Sequence, residues 1–312
     1  MRPNGKVVAA VVIACAVVGC NKRDSQKTKP AQQVQPKAEE AWSPGPKAID
    51  GEGYVGTPST TVSGPVSFAD GEAAYQSKNY GEATKLFEQY TQRRPDNPWG
   101  HYMLGLSAWK SGDLVKSEES FETALRIDPK HMKSLVNVSR VLIEQKRYDD
   151  AIVKLTTAAA VDPESATVPR LMARAHSAKG EFEPAVDAYR RAIALDGSDA
   201  WSMNNLGMLY LEHGFGEDAL PYLAKAVQTN EKVAAFHNNL GMALEHEGRF
   251  VAAATAYKGA LTADPSYKKA KQNLVRVEAV KAGPEEPFDL AAAARLTDED
   301  RKVDSDETVA AK

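Results

Sequence analysis

The sequence has few cysteines, and both lie close to the amino terminus. Its 312 residues include only Cys15 and Cys20, so residues 21–312 offer neither a disulfide framework nor a cysteine-based zinc site. A net charge of -3 at pH 7 leaves no overall excess of basic side chains, and such an excess is what drives non-specific binding to nucleic acid. We therefore expect a fold held together by packing, with no nucleic-acid partner.

The sequence also lacks the short motifs that mark common catalytic sites. It contains no glycine-rich phosphate loop, no GxSxG elbow and no HExxH zinc motif. A metal site built from His213, His237 or His246 is a minor alternative. We predict a protein that is not an enzyme and needs no cofactor, with an enzyme of unrecognised site as the remote alternative.

Long hydrophobic runs are missing, and the run at the amino terminus is too short for a membrane-spanning helix. Arg2 and Lys6 precede twelve apolar or small residues, Val7 to Val18, whereas a helix that crosses about 30 Å of hydrocarbon needs about 20. A cationic start, a short apolar run and a small residue are the order of a secretory signal peptide. We interpret residues 1–19 as a signal peptide that takes no part in the fold.

The end of this segment, Val17-Val18-Gly19-Cys20, resembles the lipobox of bacterial lipoproteins. In that family the cysteine is lipidated and becomes amino-terminal after cleavage, and a following residue other than aspartate, here Asn21, directs the protein to the outer membrane. The resemblance implies an acyl anchor on Cys20, open to palmitate labelling, and a bacterial cell-envelope location on the outer membrane, facing the periplasm. Val17 departs from the usual leucine, and the alternatives are an ordinary cleaved signal or an uncleaved anchor.

Residues 20–63 are predicted to be a disordered tether that starts at the lipidated cysteine. They are rich in Gln, Lys, Pro, Gly and Ser and show no apolar periodicity, which is typical of disorder. A flexible segment of about 44 residues has a reach of roughly 35–40 Å. The folded part is therefore free to work away from the membrane.

The rest of the chain is organised by a repeat. The string Asn204-Asn205-Leu206-Gly207 returns as Asn238-Asn239-Leu240-Gly241, 34 residues further along, and a fixed period in this range indicates a stacked-repeat protein. Six units of 34 residues fit residues 64–267 without insertion or deletion. They begin at Gly64, Pro98, Met132, Ala166, Ala200 and Ala234.

Residue types recur at helical spacing within each unit. Positions 8 and 20 of the unit are small in all six copies, position 24 is large and apolar or aromatic, and position 27 is alanine everywhere except at Tyr90. Positions 20, 24 and 27 share one helix face, and small residues at positions 8 and 20 let two antiparallel helices approach closely. A corner such as Asp128-Pro129 ends the second helix. Each unit is therefore predicted to be a helical hairpin.

This pattern resembles the tetratricopeptide repeat (TPR) family over residues 64–267. The resemblance implies an all-α fold, a right-handed superhelical solenoid of six TPR hairpins. Asp70 and Tyr90 make the first unit the least typical of the six.

Two segments follow the repeats. Residues 268–282 keep helical spacing and carry five cations, as expected of a capping helix that solvates the end of a solenoid. Residues 283–312 hold four Lys/Arg against nine Asp/Glu and are predicted to be an acidic, disordered tail. The alternative is a docking helix built on the apolar residues within 288–296.

The TPR resemblance implies a concave groove lined by the first helix of each hairpin. Asn137, Asn205 and Asn239 occupy position 6 of that helix, and Asn273 has the matching place in the capping helix. In this family such asparagines form a ladder that holds an extended peptide, since an amide both donates and accepts hydrogen bonds. Each bond contributes about 0.5–1.5 kcal/mol, whereas micromolar binding needs about 8 kcal/mol, so other groups must help. The alternative is that the asparagines join neighbouring repeats.

Aromatic side chains in the groove are candidates for the remaining binding free energy. The alternative is that they fill gaps in the core. They are Trp99, Tyr102, Trp109 and Trp201.

A basic patch in units three and four suits a carboxylate or an acidic segment, unless its alkyl stems only cover apolar surface. It consists of Lys133, Arg140, Arg170 and Arg174. A further hypothesis places the acidic tail in this patch as an internal competitor, so that deletion of residues 285–312 would tighten partner binding.

Together these features predict a non-enzymatic, membrane-anchored scaffold that binds an extended peptide or a protein in its concave groove during assembly of a cell-envelope machine. The layout of lipobox, tether and six repeats is similar to that of TPR lipoproteins that support type IV pilus and secretin assembly. The alternative is an adaptor that recruits peptidoglycan hydrolases or proteases.

Overall fold

The computed structural model describes residues 65–280 and 283–297, which form helices and no strand. Six hairpins follow one another, and then come a single helix and a final helical segment, α14, at residues 290–297. The hairpins are α1 (Phe68–Gln76) with α2 (Tyr80–Arg93), α3 (Pro98–Lys110) with α4 (Leu114–Ile127), α5 (Met132–Glu144) with α6 (Tyr148–Val161), α7 (Thr167–Lys179) with α8 (Phe182–Leu195), α9 (Ala200–Glu212) with α10 (Gly216–Thr229), and α11 (Ala234–His246) with α12 (Phe250–Ala263); the single helix is α13 (Lys268–Glu278). The predicted all-α repeat fold is confirmed.

The small residues at position 8 set how closely the two helices of a hairpin approach. A Cβ placed on Gly207 would lie 2.6 Å from Leu223 Cγ, and a Cβ on Gly241 would lie 2.5 Å from the ring of Tyr257. Leu223 and Tyr257 are fully buried residues of position 24. The large side chain of the second helix therefore fills the space that the small residue of the first helix leaves open.

The odd-numbered helices form the inner side of the array. Every helix from α1 to α13 packs on the next one along the chain, and α1, α3, α5 and α7 also contact each other in succession, as do α9, α11 and α13. Among residues 65–280, no two even-numbered helices share a contact of that extent. The first helices of the hairpins therefore line the concave side, as the resemblance implies.

The buried apolar core is divided into two clusters at α7. One buried cluster runs from α3 to α7 and another from α7 to α13. Within the described array, α7 and α9 are the neighbouring odd-numbered helices that lack a contact comparable to the others. The junction between units four and five is therefore packed mainly through α8, whose Tyr189 and Ile193 share a buried cluster with Met203 of α9.

The start of the tail differs from the predicted disorder. The Glu285 carboxylate accepts hydrogen bonds from the Val251 and Ala252 backbone N–H groups, at 2.9 and 3.2 Å, so it caps α12, which has no side-chain cap of its own. Phe288 packs on the core and lies under the Arg249 guanidinium, 5.0 Å from ring centroid to Cζ. Glu285 and Phe288 thus lie against the start of α12, and Leu290 packs on the same core. A docking helix within residues 288–296 and an acidic tail in the basic patch stay predictions.

Glu285→Ala is expected to lower the free energy of unfolding by about 1 kcal/mol, because it removes the only side-chain cap described at the start of α12. Glu286→Ala is the control, since the contact described for Glu286 is made by its backbone carbonyl. Thermal melts of both variants test the assignment. Equal melting temperatures for the two variants would contradict it.

Several predictions concern other parts of the chain. The signal peptide, Cys20, the tether at residues 20–63 and residues 298–312 lie outside the described residues. Among residues 65–280 and 283–297, no helix combines the length and apolarity needed to cross a membrane.

Candidate functional site

Three of the four predicted asparagines, Asn205, Asn239 and Asn273, belong to a row of side-chain hydrogen bonds along α9, α11 and α13. Asn273 Nδ2 donates to Asn238 Oδ1 at 3.0 Å, and Asn239 Nδ2 donates to Asn204 Oδ1 at 2.9 Å. Within each helix, Asn238 donates to Asn239 and Asn204 donates to Asn205, both at 3.3 Å. The row joins units five and six to the capping helix. These asparagines therefore make contacts between repeats, which is the alternative role that the sequence left open.

Asn204 and Asn238 are the members of this row that were not predicted as site residues. They occupy position 5 and are buried, whereas Asn205, Asn239 and Asn273 at position 6 are partly exposed. The sequence indicates these two residues by its repeated Asn-Asn pair, because a period of 34 places position 5 of one unit beside position 6 of the next.

Asn137 is separate from this row. Its Nδ2 donates to the Lys133 carbonyl at 2.9 Å and to the Tyr102 hydroxyl at 3.4 Å, and its Oδ1 accepts from Arg140 at 3.1 Å. The buried Leu171 takes position 6 in unit four. The polar row therefore stops at unit five, and Asn137 joins the aromatic residues of unit two.

The four predicted aromatic residues have different surroundings. Trp99 is 46% exposed, whereas Tyr102 and Trp109 are buried, and the Trp109 indole N–H donates to Glu144 Oε2 at 3.0 Å. Trp201 is partly buried, with its ring centroid 4.9 Å from that of Phe236. Trp99 is thus the aromatic side chain best placed to meet a partner.

His131 lies beside Trp99 and was not predicted. It is the N-cap of α5 and only 6% exposed, and its ring centroid lies 4.6 Å from Trp99 and 5.3 Å from Tyr102. Its Nδ1 accepts the Ser134 backbone N–H at 3.3 Å, while burial lowers the pKa of the imidazole. The neutral ring therefore carries its proton on Nε2. The sequence gives little indication of this N-cap, since histidine is uncommon at that position.

The basic patch is largely tied into the array. Arg170 pairs with Asp199 at 3.0 Å, across the junction of units four and five, and Asp199 was not predicted. Burial lowers the pKa of the Arg174 guanidinium, and the positive charge of the neighbouring Arg170 acts in the same direction. Lys133 is the most accessible of the four predicted cations, with its Nζ 5.1 Å from the centre of the Trp99 ring.

The concave surface therefore has two parts. Around α3 and α5 it presents an exposed indole and an ammonium group, and along α9, α11 and α13 it presents a row of amides. Asn239 uses one N–H and one oxygen lone pair on its neighbours in the row, which leaves one donor and one acceptor. Asn273 also accepts from Arg276, and Asn205 also bonds to Tyr189. Such a surface is suited to an extended chain with regularly spaced peptide groups.

Known proteins resemble this chain over its repeats. A family model described as "Tetratricopeptide repeat" matches residues 204–268, and one described as "Cilia and flagella-associated protein 70 middle TPR-like domain" matches residues 69–225, about half of the chain. A solved structure of a tetratricopeptide repeat protein from Parabacteroides merdae is 16% identical with a TM-score of 0.54, covering 67% of this chain and 81% of that chain.

Two curated relatives match shorter stretches. The DnaJ homolog subfamily C member 7 homolog of Schizosaccharomyces pombe is 29% identical over 161 residues, 48% of this chain and 33% of that protein. The probable UDP-N-acetylglucosamine–peptide N-acetylglucosaminyltransferase SPINDLY of Hordeum vulgare is 31% identical over 99 residues, 32% of this chain and 10% of that protein. The chain thus matches about a third of one relative and a tenth of the other.

Proposed function

Because the chain belongs to the tetratricopeptide repeat family, we propose that it is a non-catalytic adaptor whose concave groove binds an extended segment of a partner protein. The adaptor is anchored by a lipid on Cys20 to the outer membrane of a bacterium and faces the periplasm. There it holds its partner during assembly of a cell-envelope machine.

The row of amides carries the proposal. Asn205, Asn239 and Asn273 are partly exposed on the odd-numbered helices, and each is oriented by a hydrogen bond to a buried asparagine at position 5. Oriented groups lose little conformational entropy when a ligand binds. Amides held in this way can pair with the backbone of a partner whatever its side chains are.

The amides alone are too weak for micromolar binding, so the other end of the groove contributes. Trp99 offers about half of its surface to a partner, and Lys133 lies over its ring. Buried indoles are among the side chains that contribute most to binding at protein interfaces. A segment that reaches from α13 to α3 would gain from both parts.

The envelope role rests on the sequence. The lipobox-like Val17-Val18-Gly19-Cys20 and the tether that follows it favour a protein held at a membrane by its amino terminus. The layout is similar to that of TPR lipoproteins of type IV pilus and secretin assembly, and an adaptor for peptidoglycan hydrolases or proteases is the second candidate. The activity of the barley transferase is not carried over, since the match covers 10% of that protein.

The double variant Asn205→Ala/Asn239→Ala is expected to lower recovery of the partner at least tenfold, because it removes two amides that face the groove. The measurement is quantitative mass spectrometry of proteins that co-purify from crosslinked membranes. Asn230→Ala is the matched control, as Asn230 is an exposed C-cap outside the groove. Asn238→Ala breaks the row from its buried side, so it should reduce stability more than partner recovery. Full recovery with the double variant would leave the asparagines with a structural role only.

Cys20→Ala is expected to abolish labelling by a palmitate analogue and to release the protein from the membrane fraction, because the acyl anchor has no other attachment point. Cys15→Ala is the control and should label as the wild type does. Equal labelling of wild type and Cys20→Ala would refute the lipid anchor while leaving the groove proposal standing.

A further inference from the structure

A pocket of about 190 Å³ lies between α8 and α10, at the end where both helices begin. Ligand pockets for small molecules usually measure about 300–1,000 Å³. This pocket is therefore of a size for one side chain rather than for a metabolite. It is formed mainly by even-numbered helices, which do not line the concave groove.

The wall of the pocket is aromatic. The ring centroids of Phe182 and Phe215 are 5.6 Å apart, those of Phe182 and Tyr210 are 5.9 Å apart, and Val186 completes the apolar surface. Phe215 is 47% exposed. The pocket is thus bordered by a half-exposed aromatic ring, and a cation binds favourably over the face of such a ring.

Phe215 is also out of place for its position in the repeat. It is the N-cap of α10 and forms no side-chain cap, although small polar residues are preferred at an N-cap. The matching N-caps of the other units are all polar or charged: Asn79, Asp113, Arg147, Glu181 and Arg249. The array therefore places a half-exposed aromatic ring at one junction, where it forms no side-chain cap and packs only in part, on Phe182.

The rim of the pocket is acidic. Glu183, Asp187 and Asp218 surround the aromatic wall and are exposed, and within residues 65–280 and 283–297 none of the three forms an ion pair. Arg190 is the one cation of the lining, and its guanidinium donates to the Tyr210 hydroxyl at 3.2 Å. Three carboxylates against one guanidinium leave the lining with a charge of -2.

We propose that this pocket binds one lysine or arginine side chain of a partner protein. The alkyl stem packs on Phe182 and Val186, the cationic head lies over Phe215, and Asp187 and Asp218 pair with it. Arg190 already places a guanidinium at the edge of the same pocket. Negative charge around an aromatic wall repels an acidic segment, so a basic one is the occupant that fits. This site is independent of the concave groove.

The test uses the full-length protein with labelled valine methyl groups, and the Val186 methyl shifts report binding because Val186 lines the pocket. The probes are acetyl-Gly-Lys-Gly-amide, its arginine counterpart and a norleucine counterpart of equal length. Saturable shifts with the lysine and arginine peptides, at least five times weaker with norleucine, would support the proposal. Equal shifts with norleucine would overturn it, because the charge would then contribute nothing.

A double variant tests the role of the acidic rim separately. Asp187→Asn/Asp218→Asn should weaken the lysine peptide at least fivefold and leave the norleucine peptide unchanged. Glu217→Gln is the control, since Glu217 is an exposed acid next to Asp218 that does not line the pocket. An unchanged affinity of the double variant for the lysine peptide would overturn the assignment of the rim. Either result leaves the groove proposal unaffected, because the groove lies on other helices.

Discussion

Gly207→Val is expected to lower the free energy of unfolding by about 3 kcal/mol, which corresponds to a drop in melting temperature of roughly 6–12 °C for a domain of this size. A Cβ at this position would lie 2.6 Å from Leu223 Cγ and 3.1 Å from the Ala219 carbonyl oxygen. Leu223 is fully buried and the carbonyl belongs to a helix, so neither has room to give way. The two helices of unit five would have to separate, and the amides of α9 would shift with them.

Gly81→Ala provides the control for this prediction. Gly81 also lies in a helix, but a Cβ there would meet nothing within 4 Å. An alanine in a helix is more stable than glycine by up to about 1 kcal/mol. The two substitutions should therefore change stability in opposite directions in thermal melts. A Gly207→Val variant as stable as the wild type would contradict the close helix packing described for the hairpins.

Asp199→Ala is expected to lower the free energy of unfolding by about 3 kcal/mol. The Asp199 carboxylate is buried, pairs with Arg170 at 3.0 Å, and accepts the Ser202 backbone N–H at 3.1 Å as the N-cap of α9. Removal of the carboxylate takes the ion-pair partner from a largely buried guanidinium, and the cap is lost as well. The effect is large because α7 and α9 have little other contact.

Asp199→Asn separates the two parts of this effect. Asparagine is as good an N-cap as aspartate but has no charge for Arg170, so we expect a smaller loss of about 1–2 kcal/mol. Asp196→Ala is the control, because Asp196 is exposed and bonds only within its own turn. Chemical denaturation of the three variants tests the ranking. Equal stability of Asp199→Ala and Asp196→Ala would show that the ion pair does not hold the junction.

The period of the sequence predicts the fold in detail because one rule repeats six times. Four of the predicted unit starts are first residues of helices in the structure, and α7 begins at Thr167, one residue after the predicted Ala166. The period predicts nothing about segments that lie outside the repeats. Glu285 caps α12 through backbone groups 33 and 34 residues earlier, and composition alone made that region resemble a disordered tail.

The site was predicted less completely than the fold. A repeat shows which residues share a face, so it identified Asn205, Asn239 and Asn273 as neighbours along the groove. It does not show which hydrogen bonds the neighbours have already made. Asn204 and Asp199 are examples, since the partner of each is a side chain about one repeat away, and a buried pair of this kind has no signature in local sequence.

Site-specific photocrosslinking tests the central claim most directly. A benzophenone side chain replaces Met208 or Met242, which occupy position 9 on the concave side, or Val153 or Thr255, which are exposed on even-numbered helices. Cells that express each variant are irradiated, and adducts are separated by size. We predict discrete adducts with a partner protein from Met208 and Met242, which Asn205→Ala/Asn239→Ala in the same chain suppresses, and none of these adducts from Val153 or Thr255. The same adducts from the even-numbered helices alone would contradict binding in the concave groove.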